Sequence, residues 1–290
     1  MTLEIPDTLV GSCSGSSERR AWLSRLPEIV LELERRWKIT TEAPFTGDDV
    51  SCSWVAPATL ADGRRAVLKV SMPHMEGEDE IAGLRLWNGD PTVFVLDADE
   101  SAGAMLLERC EPGTSLRAVP EEEQDVIIAG LLRRMWSAAL PDDEFRPLSH
   151  MIGFWSEETL AAEQQWRDAE LVREGLHLFG ELSQNTNGEV LLATDLHAGN
   201  VLRAQREPWL VIDPKPFTGD PAYDATQHLL NCRERILSDP RGTISRFAGL
   251  LEVDEKRVAR WTFARFAAEP RADWADEELV QLARRVREIL

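Results

Sequence analysis

Lysine is scarce in this chain. Of 32 basic residues only four are Lys, at positions 38, 69, 215 and 256, and the rest are Arg. A Lys inside an apolar stretch therefore stands out. Basic charge is also short overall: 51 acidic against 32 basic residues leave a formal net charge of −19. Nucleic acid and anionic lipid both demand a basic surface, so this deficit argues against either as a main partner. An acidic surface serves solubility, and it steers a cationic small molecule. Cysteine is sparse too. Cys13, Cys52, Cys110 and Cys232 form no C-x-x-C pair and have no His at a ligand spacing. A disulfide framework and structural zinc are therefore not expected. No apolar run approaches the ~20 residues of a membrane span. Met1 to Pro6 show no basic segment followed by an apolar one, so no signal peptide is expected and the default location is the cytoplasm. Internal repeats and low-complexity segments are lacking as well.

What remains is the composition of a soluble globular protein, 43% hydrophobic and 29% charged. A chain of 290 residues can hold one large domain or two lobes, each with a core. The apolar residues of Ser17 to Trp37 recur at helical spacing, giving one or two amphipathic helices with Pro27 as the candidate break. Val50 to Leu60 and Ala66 to Val70 read as a hairpin across Ala61-Asp62-Gly63-Arg64. Glu78 to Trp87 reads as a helix. Thr92 to Leu96 and Ala104 to Leu107 read as strands around an acidic turn, Asp97 to Ser101. The composition changes at Glu111-Pro112-Gly113, and helical periodicity dominates beyond it. Helices are expected from Pro120, over Ser156 to Leu182, and over Ala222–Leu237, Thr243–Leu251, Glu255–Ala267 and Ala275–Leu290. The expected class is α+β and bilobal. A small N-terminal sheet lobe with a helix is expected over 1–110. A larger, mainly helical lobe is expected over 111–290. A monomer or weak dimer is expected.

The chemistry concentrates between Leu191 and Pro214. Asp195, Asn200 and Asp213 lie on two short turns between apolar runs. Phosphoryl transfer needs such a set: a carboxylate to orient a hydroxyl, and an amide oxygen and a carboxylate to hold Mg²⁺. Asp195 is the candidate catalytic carboxylate, and Asn200 and Asp213 are the candidate metal ligands. Each alone is an ordinary turn or strand-end residue; the ordered triple is not. Lys69 in its strand is a candidate cation for nucleotide phosphates, held by Glu80, with Glu78 the alternative. The segment Thr46 to Ser53 lacks a G-x-G-x-x-G pattern, but Ser51 and Ser53 can donate to phosphate oxygens. Glu108 and Cys110, where a strand enters the Pro-Gly link, can offer backbone groups to adenine. Asp220 and Asp224 suit helix capping; with Asp273 and Asp276 they are also candidate partners for a cationic acceptor. His197 reads as a turn-fixing hydrogen-bonder, and Lys215 as a cation for phosphate or for a motif carboxylate.

At these residues the chain resembles the aminoglycoside phosphotransferase family, in its streptomycin 6-phosphotransferase and hydroxyurea phosphotransferase branch. The resemblance rests on Arg64 to Val70, Gly83 to Trp87, Met105 to Arg109, Asp195 to Leu202, Glu207 to Pro214, Gly219-Asp220-Pro221 and Trp261 to Arg265. It implies a protein-kinase-like fold, with ATP (or GTP) and Mg²⁺ as cofactors. It also implies Asp195 as catalytic base, Asn200 and Asp213 as metal ligands, and Lys69 on the nucleotide phosphates. The implied activity is phosphorylation of a hydroxyl on an aminoglycoside or aminocyclitol such as streptomycin, which confers resistance. Hydroxyurea or another small metabolite is the alternative acceptor. The family usually carries His two residues before the catalytic Asp; here that position is Ala193. A nucleotide-binding pseudokinase is the alternative that this departure raises.

Overall fold

A computed structural model of the chain describes residues 3–47, 52–141, 144–185 and 188–290. They form two units: Met1–Thr114 with Leu202–Ile212, and Ser115–Val201 with Asp213–Leu290. The division expected after residue 110 thus falls after 114, and a later segment belongs with the first unit. Apolar packing explains it. Leu202, Leu210 and Ile212 join Leu84, Val93, Met105 and Leu107 in one cluster.

The first unit opens with α1 (Asp7–Cys13) and α2 (Ser17–Trp37). Its strands are β1 (Ile39–Thr41), β2 (Ser53–Leu60), β3 (Arg65–Ser71), β4 (Val95–Asp99) and β5 (Ala104–Glu108), with α3 (Glu80–Trp87) between β3 and β4. They form one antiparallel sheet in the order β1-β2-β3-β5-β4. α2 is a single helix, capped by Ser16 and closed by Lys38 at φ 53°, and Pro27 does not break it. A proline inside a helix costs about 3 kcal/mol. Burial of Trp22, Leu26, Val30 and Leu33 along one stripe, at roughly 1.5–3 kcal/mol each, outweighs that.

β2 and β3 make the expected hairpin, from Ser53 opposite Ser71 to Thr59 opposite Arg65. Gly63 (φ 84°) supplies the left-handed residue of its turn. The faces of β3 alternate. Ala66, Leu68 and Val70 pack with Leu9 of α1 and Leu26 of α2, whereas Val67 packs with Leu84 of α3. Lys69 shares the face of Val67 by the two-residue period. β4 starts later than expected, and residues 97–99 extend it rather than turn. The turn is a 3-10 segment, Glu100–Ala102, in which Asp99 accepts from the Ala102 amide.

The remaining strands are short. β6 (Val190–Leu192) pairs antiparallel with β9 (Phe217–Gly219), and β7 (Val201–Arg203) pairs with β8 (Trp209–Val211). The second unit is otherwise helical: α4 (Glu121–Trp136), α5 (Leu148–Ala161), α6 (Ala169–Gln184), α7 (Pro221–Asn231), α8 (Arg233–Ser238), α9 (Pro240–Leu251), α10 (Glu255–Ala268) and α11 (Glu277–Arg287). Asp168, Asp220, Asp239, Asp254 and Asp276 cap α6, α7, α9, α10 and α11, each accepting a backbone N–H. Part of the acidic excess is therefore capping chemistry. The helical stretch expected over Ser156 to Leu182, with a break allowed, is two helices, and the Asp168 cap starts the second. α10 is the spine of this unit, with Val258, Ala259 and Trp261 to Ala268 buried. α6 approaches it at Gly175, where an added Cβ would lie 2.8 Å from the Ala267 Cβ and 2.9 Å from the Ala268 Cβ. Among the described residues no helix is long and apolar enough to cross a membrane.

Candidate active site

Each unit carries its own set of candidate groups. In the first, Lys69 projects from β3 and its Nζ donates to Glu80 Oε1 at 2.5 Å. Both side chains are buried. Glu80 is the first residue of α3, where the helix dipole favours a carboxylate. Glu80 is thus the buried partner of Lys69, whereas Glu78 is exposed. A buried pair of this kind is held in one geometry, because neither charge has water to turn to.

The other first-unit candidates divide. Ser53 is buried at the start of β2 and its hydroxyl meets that of Ser71 at 3.4 Å. Ser51 lies outside the described residues, as do 48–50. The Glu108 amide donates to Phe94 O at 2.9 Å. Its carboxylate accepts from the Phe94 amide at 3.1 Å and from Arg206 at 2.9 and 3.1 Å. Of the backbone groups at Glu108 and Cys110 considered for adenine, the Glu108 N–H is thus used inside the unit. Cys110 is buried, and burial together with the charge of Glu108 pushes its thiol up to about 12. The thiol is neutral at physiological pH.

In the second unit β6 delivers the chain into Ala193-Thr194-Asp195. Thr194 adopts φ 49°, a left-handed conformation that a β-branched residue rarely takes. Such backbone strain persists only where surrounding bonds over-determine it. Here they do. The Thr194 and Ala193 amides donate to the Asp224 carboxylate at 2.7 and 3.0 Å. The Thr194 hydroxyl donates to Lys215 O at 2.6 Å, and the Lys215 amide donates to Ala193 O at 2.8 Å. Asp195 follows at once, its own amide donating to Ala193 O at 2.7 Å.

Asn200 ends a 3-10 turn, Ala198–Asn200, that the His197 ring caps by accepting from the Gly199 amide at 2.9 Å. The Asn200 Nδ2 donates to Asp195 O at 3.0 Å. That bond fixes the amide with its donor toward Asp195 and leaves Oδ1 as the ligand atom. Asp213 sits at φ 54°, and its carboxylate is about one-third exposed and accepts from Lys215 Nζ. An amide oxygen and a carboxylate are hard oxygen donors, and the pair fits Mg²⁺.

Asp220 and Asp224 are where the structure departs from expectation. Both are 1% exposed, so neither presents a carboxylate to an acceptor. Asp220 caps α7 and accepts from Trp261 Nε1 at 2.7 Å and from Arg257. Asp224 also accepts from Trp136 Nε1 at 2.8 Å. Burial pushes the Asp224 carboxyl up to about 6, against the pull of Trp136 and the two amides. Asp273 and Asp276 accept from nearby amides, Asp276 as the cap of α11. The role of Asp224 was hidden from sequence because Trp136 lies 88 residues away. Lys215, read from sequence as a cation for phosphate or for a motif carboxylate, has its Nζ on Asp213.

A ligand-type group that the sequence reading of the cysteines passed over lies in the same unit, because His228 stands four residues before Cys232. Asp125, His228 and Cys232 bring their ligand atoms within 4.8 Å of one another. Arg235 and Arg246 also hold Asp125, at 2.8–3.0 Å. Two guanidinium groups on the same carboxylate make this a buried charge network rather than a cation site.

Comparisons with known proteins show the family of the chain. Residues 36–278 match the family model described as aminoglycoside/hydroxyurea antibiotic resistance kinase. Streptomycin 6-kinase of Streptomyces griseus is 38% identical over 275 residues, covering 91% of this chain and 88% of that protein. Hydroxyurea phosphotransferase of Kitasatospora aureofaciens is 32% identical over 257 residues, covering 87% of this chain and 74% of that protein. Among solved structures, choline kinase LicA from Streptococcus pneumoniae superposes with a TM-score of 0.64 at 15% identity, over 91% of this chain and 99% of that one. LicA has also been solved in complex with AMP. At that identity the likeness shows the fold, which is protein-kinase-like.

Proposed function

Because the chain belongs to the aminoglycoside/hydroxyurea antibiotic resistance kinase family, we propose that it transfers the γ-phosphoryl group of ATP to a hydroxyl of streptomycin or a related aminocyclitol. The observation that carries this reading is the strained loop at Thr194, held on three sides so that Asp195 is presented beside Asn200. Asp195 orients the acceptor hydroxyl and takes its proton. Asn200 Oδ1 and the Asp213 carboxylate hold Mg²⁺, which when bound neutralises charge on the phosphate oxygens. Lys69, fixed by Glu80, holds the nucleotide phosphates. The net charge of −19 favours encounter with a guanidinium-bearing acceptor.

The pseudokinase alternative loses its motive. It rested on Ala193 in place of the family's His. Here the loop is braced through the backbone amides of 193 and 194, and that brace does not depend on the side chain at 193. Hydroxyurea remains a second acceptor reading, supported by the 32% identity to the Kitasatospora enzyme.

The test is a mass-spectrometric screen for phosphate adducts on streptomycin, other aminocyclitols and hydroxyurea, with ATP or GTP and Mg²⁺. An adduct on streptomycin is expected. Asp195→Ala should lower its formation by about 10²–10⁴-fold while ADP binding by calorimetry is kept. Full turnover by that variant would remove Asp195 from its role.

A further inference from the structure

We propose that Lys215 is a further catalytic group of this enzyme, an ammonium that guards Asp213 and then contacts the transferring phosphoryl group. The inference rests on the kinase reading above and goes beyond it, since that reading gives Lys215 no part.

Lys is nearly absent from the chain, and of its four lysines Lys38 and Lys256 are exposed. The two buried ones are Lys69, 4% exposed, and Lys215, 6% exposed. Each has its Nζ on a carboxylate of the candidate machinery, Lys69 on Glu80 and Lys215 on Asp213. A plain ion-pair staple needs no lysine here, because this chain uses Arg for nearly every other one. Lys differs from Arg in being a compact point charge on a flexible four-carbon stem, with three donors that can be re-aimed. That property is useful where a cation must change partners.

The backbone of Lys215 is anchored on both sides. Its amide donates to Ala193 O at 2.8 Å and its carbonyl accepts from the Thr194 hydroxyl at 2.6 Å. The base of the side chain is therefore fixed to the loop that presents Asp195, and the ammonium at its far end lies on Asp213. Asp213 is a hard carboxylate suited to a divalent cation. The ammonium neutralises it in this structure, and a divalent cation held by Asp213 would compete with it for that carboxylate. The strongest anion then entering the site is the phosphoryl group.

In the transfer step Asp195 takes the proton of the acceptor hydroxyl, and the acceptor oxygen forms its bond to the γ-phosphorus. The bond from that phosphorus to the β–γ bridging oxygen breaks, and its electron pair leaves on ADP. Lys215 keeps its three protons throughout. It donates to non-bridging oxygens whose charge it stabilises more in the transition state than in the ground state.

The experiment compares wild type, Lys215→Met and Lys215→Arg in two assays. The first is Mn²⁺ binding by electron paramagnetic resonance, without nucleotide or acceptor. Removal of the competing ammonium should tighten Mn²⁺ binding by about 10-fold in Lys215→Met, and Lys215→Arg should stay near wild type. The second is steady-state turnover with the acceptor found in the screen. Here kcat should fall by about 10²–10³-fold in Lys215→Met with KM for ATP nearly unchanged, and Lys215→Arg should recover little of it. Mn²⁺ binding no tighter in Lys215→Met, or a wild-type kcat, overturns the proposal. If Lys215→Met does not fold, by thermal unfolding, Lys215→Gln is read on the same two scales. Failure of wild type to phosphorylate any acceptor would count against the kinase reading itself. The Mn²⁺ assay needs no acceptor and judges the guarding role of Lys215 separately.

Discussion

Replacing Asp224 with Asn should separate stability from turnover. Burial raises the Asp224 carboxyl from its ordinary 3.8 to about 6. At ~1.4 kcal/mol per unit, ionising it inside the fold costs about 3 kcal/mol. A raised carboxyl holds its proton more tightly in the folded chain than in the unfolded one. Its stabilising contribution is therefore full below pH 3.8 and lost as pH rises through about 6. Between about pH 4.5 and about pH 7.5 the wild type should lose about 2 kcal/mol through this group. Asn has no such dependence. It also has one acceptor oxygen for three donors: the Ala193 amide, the Thr194 amide and Trp136 Nε1. A buried donor left unsatisfied costs about 1–3 kcal/mol. Near neutral pH that loss and the relief of the charge nearly cancel, so global stability should stay within about 2 kcal/mol of wild type.

Turnover does not share the cancellation. Loss of the brace frees residues 193–194, and Asp195 follows them. A misplacement of about 1 Å can cost about 10²-fold in rate. Protonating wild-type Asp224 has a related effect, because it sets an O–H against a backbone N–H. As pH falls through about 6, kcat should fall while the stability contribution of this group grows. The assay is urea unfolding at the two pH values, beside a pH profile of kcat, for wild type and Asp224→Asn. An equal pH dependence of unfolding in both proteins, with an unchanged kcat, would refute the account of Asp224.

Other outcomes follow from the same geometry. Lys69→Met leaves Glu80 buried without its cation and should destabilise by about 3–5 kcal/mol, read by urea unfolding; Lys69→Met/Glu80→Leu should recover most of this while nucleotide binding stays lost. Gly175→Ala forces a methyl against Ala267 and Ala268 and should cost about 1–3 kcal/mol, seen as a lowered Tm with little change in KM.

The bonding of the Asp195–Asn200 turn was legible because it is local. Asp195, Asn200 and His197 lie within six positions, and their bonds to the turn backbone span five residues or fewer. Lys69 and Glu80 were legible for a related reason: strand period sets the face of Lys69, and a helix start sets the place of Glu80. The carboxylates of α7 were not legible. Position in a first helical turn says that a carboxylate is favoured there, but not what else reaches it. Asp220 meets Trp261 from 41 residues away, and Asp224 meets Trp136 from 88. The grouping of Leu202–Ile212 with the first unit was hidden likewise, since it depends on packing against Leu84 and Val93.

The same distinction bears on Ala193. A family position that normally carries His suggests a missing part when the sequence is compared residue by residue. The loop, however, needs its backbone held rather than a ring at one site. Asp224 accepts hydrogen bonds from two backbone amides, a group that every residue type except proline possesses. Ala193 is itself fully buried, so the position packs a methyl where a ring would need room. Function at this loop should therefore survive a change at 193 that keeps the side chain small, such as Ala193→Gly or Ala193→Ser. It should fail for Ala193→Pro, which removes the N–H that Asp224 accepts.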